Sequence, residues 1–404
     1  MEIPGVVGVY QLPDWSQHGA CARLGGVAVV ADNTWAAIQA RDLLEIEWDH
    51  GAHGDYNSEG YLDEMKATAE QPGQSLRHKG DPDAAFADAA STFGQTYTSA
   101  HMAHIAMEPP VALAEVTSEG CEIWAPVQSP YRVRKDVAEA LGLGEDKVRV
   151  NVTLLGGGFG RKSKGDFVTE AALLRREVGA PVRMQWTRED DVRHSFFHTT
   201  SAERIDVAMD ETGKVTGWRH NSVAPSILST FAPDSGQQFA IESGMGHVDM
   251  PFDIANVSCE NGQAMARTRI GWFRAVSNVP RAWAIGTRFC DPAAEGLPEG
   301  CWYYGEPVGE GFDIDTGRLA NVLTMAADGI GFGKELPEGE GIGLAVHRSF
   351  VSYVACAAHV KVVDGFITVP EVHLAVDCGY PANPESIASQ MEGAAVMGMS
   401  VALN

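Results

Sequence analysis

Four glycines fall within five consecutive positions of the run Leu154-Leu155-Gly156-Gly157-Gly158-Phe159-Gly160-Arg161-Lys162. A β-type segment, Val148-Arg149-Val150-Asn151-Val152-Thr153, leads straight into this run. Glycines this dense give up side chains so that backbone N–H groups reach a ligand closely, in φ/ψ combinations that other residues avoid. An anionic or oxo-bearing cofactor suits such a loop. A tight glycine turn closing a strand is the plainer alternative.

Charge sharpens the choice. The chain of 404 residues carries 54 acidic against 30 basic side chains, a formal net charge of −24. That balance repels a phosphate backbone and argues against nucleic acid as a partner. Arg161, Lys162 and Lys164 are one of the few dense basic clusters in this acidic background. Beside the glycine loop they suit a phosphorylated cofactor, the alternative being a solvated turn. Length and a 45% hydrophobic content allow two or more globular domains, and no apolar run is long enough to span a bilayer. Cys21, Cys121, Cys259, Cys290, Cys301, Cys356 and Cys378 are scattered without a C-x-x-C pair or Cys/His spacing. Any iron–sulfur centre therefore belongs on a partner chain.

Other segments keep the loop company. Ile123-Trp124-Ala125-Pro126-Val127-Gln128-Ser129-Pro130 is a short strand ending in a glutamine that can offer its amide beyond the strand end. Around it stand Ala103-His104-Ile105-Ala106-Met107-Glu108-Pro109-Pro110, Gln185-Trp186-Thr187-Arg188-Glu189-Asp190 and Gly271-Trp272-Phe273-Arg274-Ala275-Val276. Near the C-terminus come Val376-Asp377-Cys378-Gly379, Asn383-Pro384 and Gln390-Met391-Glu392-Gly393-Ala394. In this order the segments resemble the molybdenum hydroxylases, the xanthine oxidase and aldehyde oxidase superfamily. The likeness is greatest to the large, molybdopterin-binding subunit of isoquinoline 1-oxidoreductase and of related bacterial aldehyde dehydrogenases.

The resemblance implies an α+β, multi-domain molybdopterin-binding fold with a partial α/β hammerhead domain at its N-terminus. Residues 1–50 are expected to be part of the hammerhead, with strands at Gly26–Ala31 and Glu45–Asp49 and a helix capped by Asn33 between them. Residues 51–89, polar and rich in turn dipeptides, read as a surface linker. Residues 90–315 form the first molybdopterin-binding domain, with amphipathic helices at 132–141 and 166–178. Residues 316–404 are part of the second, with a hairpin turning at Asp364-Gly365 and a helix opened by Asn383.

The implied cofactor is molybdopterin cytosine dinucleotide with molybdenum, so the protein supplies surrounding hydrogen bonds and no direct metal ligand. By resemblance, Gln128 donates to a molybdenum oxo group, with the N–H groups of Phe159 and Gly160 on the same side. Gly157, Gly158 and Arg161 complete the cofactor loop. Arg274 matches the arginine of a loop near the metal, and Gln390 a pterin-bonding residue. His101, His104 and Glu108 have zinc-like spacing but sit in a strand and Pro-Pro turn that the family shares. Ser163 stands where xanthine oxidase-like members carry a glutamate, which makes purine binding doubtful. The implied reaction oxidises an aldehyde or N-heterocycle with oxygen drawn from water. Electrons would pass to a small subunit carrying [2Fe–2S] clusters, with a cytochrome c as one possible acceptor.

The family's Gly-Gln-Gly loop and its Gly-Val-Gly-Glu base segment are absent, so the chain reads as a fragment with the base glutamate expected beyond Asn404. Glu306-Pro307-Val308-Gly309-Glu310 reads as a loop. The alternatives are a non-catalytic fragment or assembly subunit that keeps the fold without cofactor, and an NAD-dependent dehydrogenase. The latter is disfavoured by the lack of G-x-G-x-x-G spacing. No targeting signal is present, which leaves the compartment open between bacterial cytoplasm and periplasm.

Overall fold

The structure, a computed structural model, describes residues 3–14, 25–230, 235–289, 301–302 and 314–403. The run Glu306–Glu310 and residues Cys21 and Cys290 lie outside the described residues. At the N-terminus β1 (Val6–Leu12) pairs antiparallel with β2 (Gly26–Ala31), and α1 (Thr34–Arg41) follows. Asn33 caps α1 as its sequence predicts, its side chain accepting the Ala36 N–H at 2.9 Å. The strand expected at Glu45–Asp49 does not form. Ile46 and Trp48 alternate with acidic residues as a strand would, but they pair with no strand among the described residues, and the segment stays exposed.

Residues 51–89 are not a surface linker. Within them α2 (Ser58–Ala69) buries Tyr61, Met65 and Ala69, a four-residue spacing along one face, against Ala202, Val223 and Ala264. After it, β3 (Gln74–Lys79) forms the edge of a five-stranded sheet, and α3 (Pro82–Ala87) is capped by Asp81. The polar residues that suggest a linker are the solvent faces of these elements.

The five-stranded sheet has the order β3-β11-β10-β9-β4, built from β4 (Ser91–Ser99), β9 (Ser201–Met209), β10 (Val215–Val223) and β11 (Asn256–Gly262) with β3. Only β10 and β11 run parallel in it. A second sheet, of order β7-β6-β5-β8, comprises β5 (Val111–Val116), β6 (Cys121–Ala125), β7 (Val148–Val152) and β8 (Val182–Gln185). Two helices cover it, α4 (Pro130–Leu141) and α5 (Asp166–Val178), both at the predicted places. Val133 and Val137 of α4 and Phe167, Val168, Ala171 and Ala172 of α5 are buried against Ala114, Ile123 and Ala125. Each such large apolar side chain contributes about 1.5–3 kcal/mol on burial.

Then come α6 (Arg188–Arg193), α7 (Ala240–Ser243) and α8 (Asn278–Phe289), the short pair β12 (Cys301–Trp302) and β13 (Ile314–Asp315), and α9 (Thr316–Ile330). The meander β14 (Glu340–Ser349), β15 (Ser352–Val363) and β16 (Phe366–Asp377) packs on α9. Asp364 and Gly365, at φ +51° and +82°, make the predicted hairpin turn. One buried cluster runs from Ile205, Trp218 and Val257 through Ala284 and Ile285 to Leu319, Leu323 and Ala355, so the core continues across residues 315 and 316. The final helix, α10 (Pro384–Leu403), lies against β16 and buries none of its described side chains.

Candidate functional site

The parallel pairing of β6 with β7, in the register Ala125 opposite Val152, sends both strands out at the same end of the sheet. Beyond β6 the chain reaches Gln128, and beyond β7 it enters the glycine loop. The carboxyl ends of adjacent parallel strands are where open α/β sheets place their ligands.

Side chains from three segments crowd the loop. Gly156 donates its N–H to Glu108 Oε2 at 3.1 Å, and its carbonyl accepts the Glu108 N–H at 2.9 Å. A Cβ at Gly158 would lie 2.5 Å from Gln128 Oε1 and 2.8 Å from its Cδ, and one at Gly160 would overlap the Trp272 carbonyl. Gly157 and Gly160 also take φ values of +94° and +103°, which strain any side chain. The glycines are thus demanded by Gln128, Glu108 and Trp272 from within the protein.

Gln128 Oε1 accepts the Gly160 N–H at 3.0 Å. Because an N–H needs an acceptor, that contact fixes the amide and turns the Nε2 group outward on an exposed side chain. The N–H groups of Gly157, Gly158 and Phe159 have no acceptor among the described residues. Phe159 and Arg274 are both left-handed, at φ +53° and +46°. They meet through a 2.9 Å hydrogen bond from the Arg274 N–H to the Phe159 carbonyl, and the guanidinium carbon lies 3.9 Å from the Phe159 ring centre. Gln128, Gly157, Gly158, Phe159, Gly160 and Arg274 are therefore brought together.

Arg161 is not presented with them. Its guanidinium is 1% exposed, makes two 2.9 Å bonds to the Asp166 carboxylate, and lies among the Phe167, Trp186 and Phe196 rings. Lys162 is buried too, its Nζ 2.5 Å from Glu108 Oε2, and Lys164 packs over Phe196 and Trp272. The expected phosphate-facing cluster is instead buried, Arg161 turning back to Asp166 at the start of α5, Lys162 to Glu108, and Lys164 to the Phe196 and Trp272 rings. Burial alone would raise the Asp166 carboxyl, but the charge and hydrogen bonds of Arg161 outweigh it and hold the group low. Glu170 behind it is raised, by burial first and then by Asp166. The loop therefore rests on a buried layer of ion pairs, Arg161 with Asp166 and Lys162 with Glu108.

Gln390 is not brought to this place. It is exposed midway along α10, with no hydrogen bond to the loop among the described residues. The three residues of zinc-like spacing have separate partners. His101 bonds Tyr56 and the His198 carbonyl, His104 the Trp272 carbonyl, and Glu108 the loop and Lys162. Ser163 Oγ donates to the Gly160 carbonyl at 2.6 Å. In sequence Glu108 is legible as a turn residue and as the third member of a zinc-like spacing, not as an anchor of the loop, although a glycine at 156 is a sign that something approaches there.

A molybdopterin cofactor-binding domain model matches residues 67–297, and a second molybdopterin cofactor-binding domain model matches 324–404. The chain is 29% identical to the membrane-bound aldehyde dehydrogenase [pyrroloquinoline-quinone] of Gluconacetobacter polyoxogenes, over 94% of this chain and 52% of that protein. It is 25% identical to isoquinoline 1-oxidoreductase subunit beta of Brevundimonas diminuta, over 100% of this chain and 52% of the other. The chain thus spans about half the length of these curated relatives. Its fold is that of the aldehyde oxidoreductase from Desulfovibrio gigas, with TM-score 0.60 at 15% identity over 91% of this chain and 46% of that one. Quinoline 2-oxidoreductase from Pseudomonas putida 86 matches with TM-score 0.58 at 18% identity, over 91% and 55%.

Proposed function

The chain belongs to the molybdopterin cofactor-binding family, and from that premise we propose that it is the cofactor-holding part of a molybdenum-dependent oxidoreductase acting on an aldehyde or N-heterocycle. The observation that carries the reading is the row of unpartnered N–H groups at Gly157, Gly158 and Phe159 beside the outward amide of Gln128. These donors, with no acceptor among them, fit an oxo-bearing or anionic group. Gln128, Gly157, Gly158, Phe159, Gly160 and Arg274 would hold the cofactor, while Arg161, Lys162 and Lys164 support it from beneath. When bound, the molybdenum cofactor supplies two-electron oxidation with oxygen drawn from water.

The chain's own residues orient and neutralise. Glu108 is already engaged by Lys162 and Gly156, so it anchors the loop and is a poor candidate for a proton acceptor. The cytosine dinucleotide form, a small [2Fe–2S] subunit and a cytochrome c acceptor are part of the same proposal. It is supported by cysteines too scattered to ligate a cluster, of which Cys121, Cys259, Cys356 and Cys378 are free among the described residues. The test is elemental and cofactor analysis of the purified native complex. Molybdenum and a pterin dinucleotide in one-to-one ratio with this chain are expected. Pyrroloquinoline quinone in place of molybdenum would overturn the reading.

A further inference from the structure

We propose that His104 and His198 are positioning residues, two buried imidazoles that clamp the 272–276 turn by both ends and so hold Arg274 against Phe159. The turn needs holding. Arg274 and Val276 both sit at left-handed φ, +46° and +55°, a conformation that costs a non-glycine residue about 1 kcal/mol or more and persists only where the surroundings impose it. The Val276 N–H closes the turn on the Phe273 carbonyl at 2.8 Å.

Each histidine binds one end. His104 Nε2 contacts the Trp272 carbonyl, and His198 Nε2 lies 3.1 Å from the Val276 carbonyl. A carbonyl oxygen only accepts, so both rings carry their hydrogen on Nε2. His104 Nδ1 is then the acceptor for the Ser195 hydroxyl at 3.2 Å, which fixes that tautomer and the ring's orientation. Both imidazoles are 2% exposed and stand 5.2 Å from the Phe273 ring, which is buried between them.

The two clamps share one support. Ser195 and His198 lie on a single segment, and its Phe197 exchanges backbone hydrogen bonds with Arg269 and Gly271, at 2.9 and 3.0 Å. That segment therefore sets the register of the turn while it orients His104. At the far end, the carbonyl that His104 holds is the one Gly160 must be a glycine to accommodate. The line Ser195–His104–Trp272–Gly160 fixes one loop, and His198–Val276–Arg274–Phe159 fixes the other against it.

The catalytic meaning of the clamp rests on the proposed cofactor reading, whereas its mechanical part does not. The experiment uses the native complex with His104→Leu and His104→Gln, glutamine keeping a donor near the Nε2 position. It reads hydrogen exchange at the Arg274 amide, molybdenum content, and KM against kcat. His104→Leu is expected to speed exchange at Arg274 by about tenfold while amides of β14–β16 stay unchanged. His104→Gln should restore protection, molybdenum content and kcat. Should His104→Leu fail to fold, Ser195→Ala takes its place, with a smaller acceleration at the same amide. Wild-type exchange at Arg274 in the leucine or alanine variant, or no rescue by glutamine, overturns the clamp. A wild-type complex without molybdenum overturns the cofactor reading alone, because the exchange result stands without it.

Discussion

The guanidinium of Arg274 stacks 3.9 Å from the ring centre of Phe159 while its N–H donates to the carbonyl of the same residue, so side chain and backbone fasten one loop to the other. Neither residue is a glycine, yet both occupy left-handed backbone. The pair therefore fixes the spacing of two loops that lie far apart in sequence, and it leaves the Gln128 amide and the free N–H groups of 157–159 on the loop so held.

A double-mutant cycle should detect this pair. Phe159→Leu and Arg274→Ala are expected to couple by about 0.5–1 kcal/mol, the range of an exposed cation–π contact. Urea midpoints of the two single variants and the double variant provide the measurement. Strict additivity would mean that the stack contributes nothing.

Gln128 offers a sharper separation of holding the loop from holding the ligand. Gln128→Glu keeps an oxygen for the Gly160 N–H but loses the outward Nε2 donor and adds a negative charge. The variant should melt within a few degrees of wild type and yet retain little cofactor, read as molybdenum per chain. Full loading would remove Gln128 from the site.

Gly158→Val should disturb Gln128 first. Its Cβ would lie 2.5 Å from Gln128 Oε1, so the glutamine must leave the Gly160 N–H, at an overpacking cost of about 1–3 kcal/mol. Lower thermal stability together with lost molybdenum is the expected result. A variant loaded like wild type would show that the loop can yield without cost.

Much of this arrangement is legible in local sequence pattern. The strand into the glycine loop, the helix at 166–178, the Asp364-Gly365 hairpin and the nearness of Gln128 to the loop all follow from period, cap, turn and motif order. Direction is what such patterns do not carry. Spacing places Arg161 beside the loop but does not say on which side its long stem lies, and Asp166, five residues on, decides it by pairing inside. In α2, a polar majority hides Tyr61, Met65 and Ala69, whose partners Ala202, Val223 and Ala264 are remote in sequence. Ile46 and Trp48 have the alternation of a strand but no strand partner among the described residues.

Asp166→Asn tests the layer beneath the loop. Removing the carboxylate leaves Arg161 buried with its charge unmatched, which in such sites costs about 3–5 kcal/mol. The thermal midpoint should fall more than for any variant on the exposed rim of the loop. A loss below about 1 kcal/mol would mean that Glu170, freed of the neighbouring Asp166 charge, or water compensates Arg161.

The pH dependence of His104 follows from its burial. Burial pushes its pKa down to about 4, the bond to the Trp272 carbonyl opposing and the charges of Arg161, His198 and Arg274 adding to the shift. An ordinary histidine in the unfolded chain titrates near 6.5. The folded state thus binds fewer protons than the unfolded one between these values. The stability that the neutral ring contributes is complete above pH 6.5 and is lost as pH falls toward 4, by about 2 kcal/mol at pH 5. Glutamine does not titrate, whereas His247, His347 and Asp249 do so in both proteins and cancel in the comparison. Whatever His104→Gln costs at neutral pH should therefore shrink on acidification, and urea midpoints at about pH 7.5 and pH 5 read the change directly. A difference that stays constant over that interval would mean that His104 takes up its proton equally in the folded and the unfolded chain, so that burial does not hold its ring as the neutral donor to Trp272.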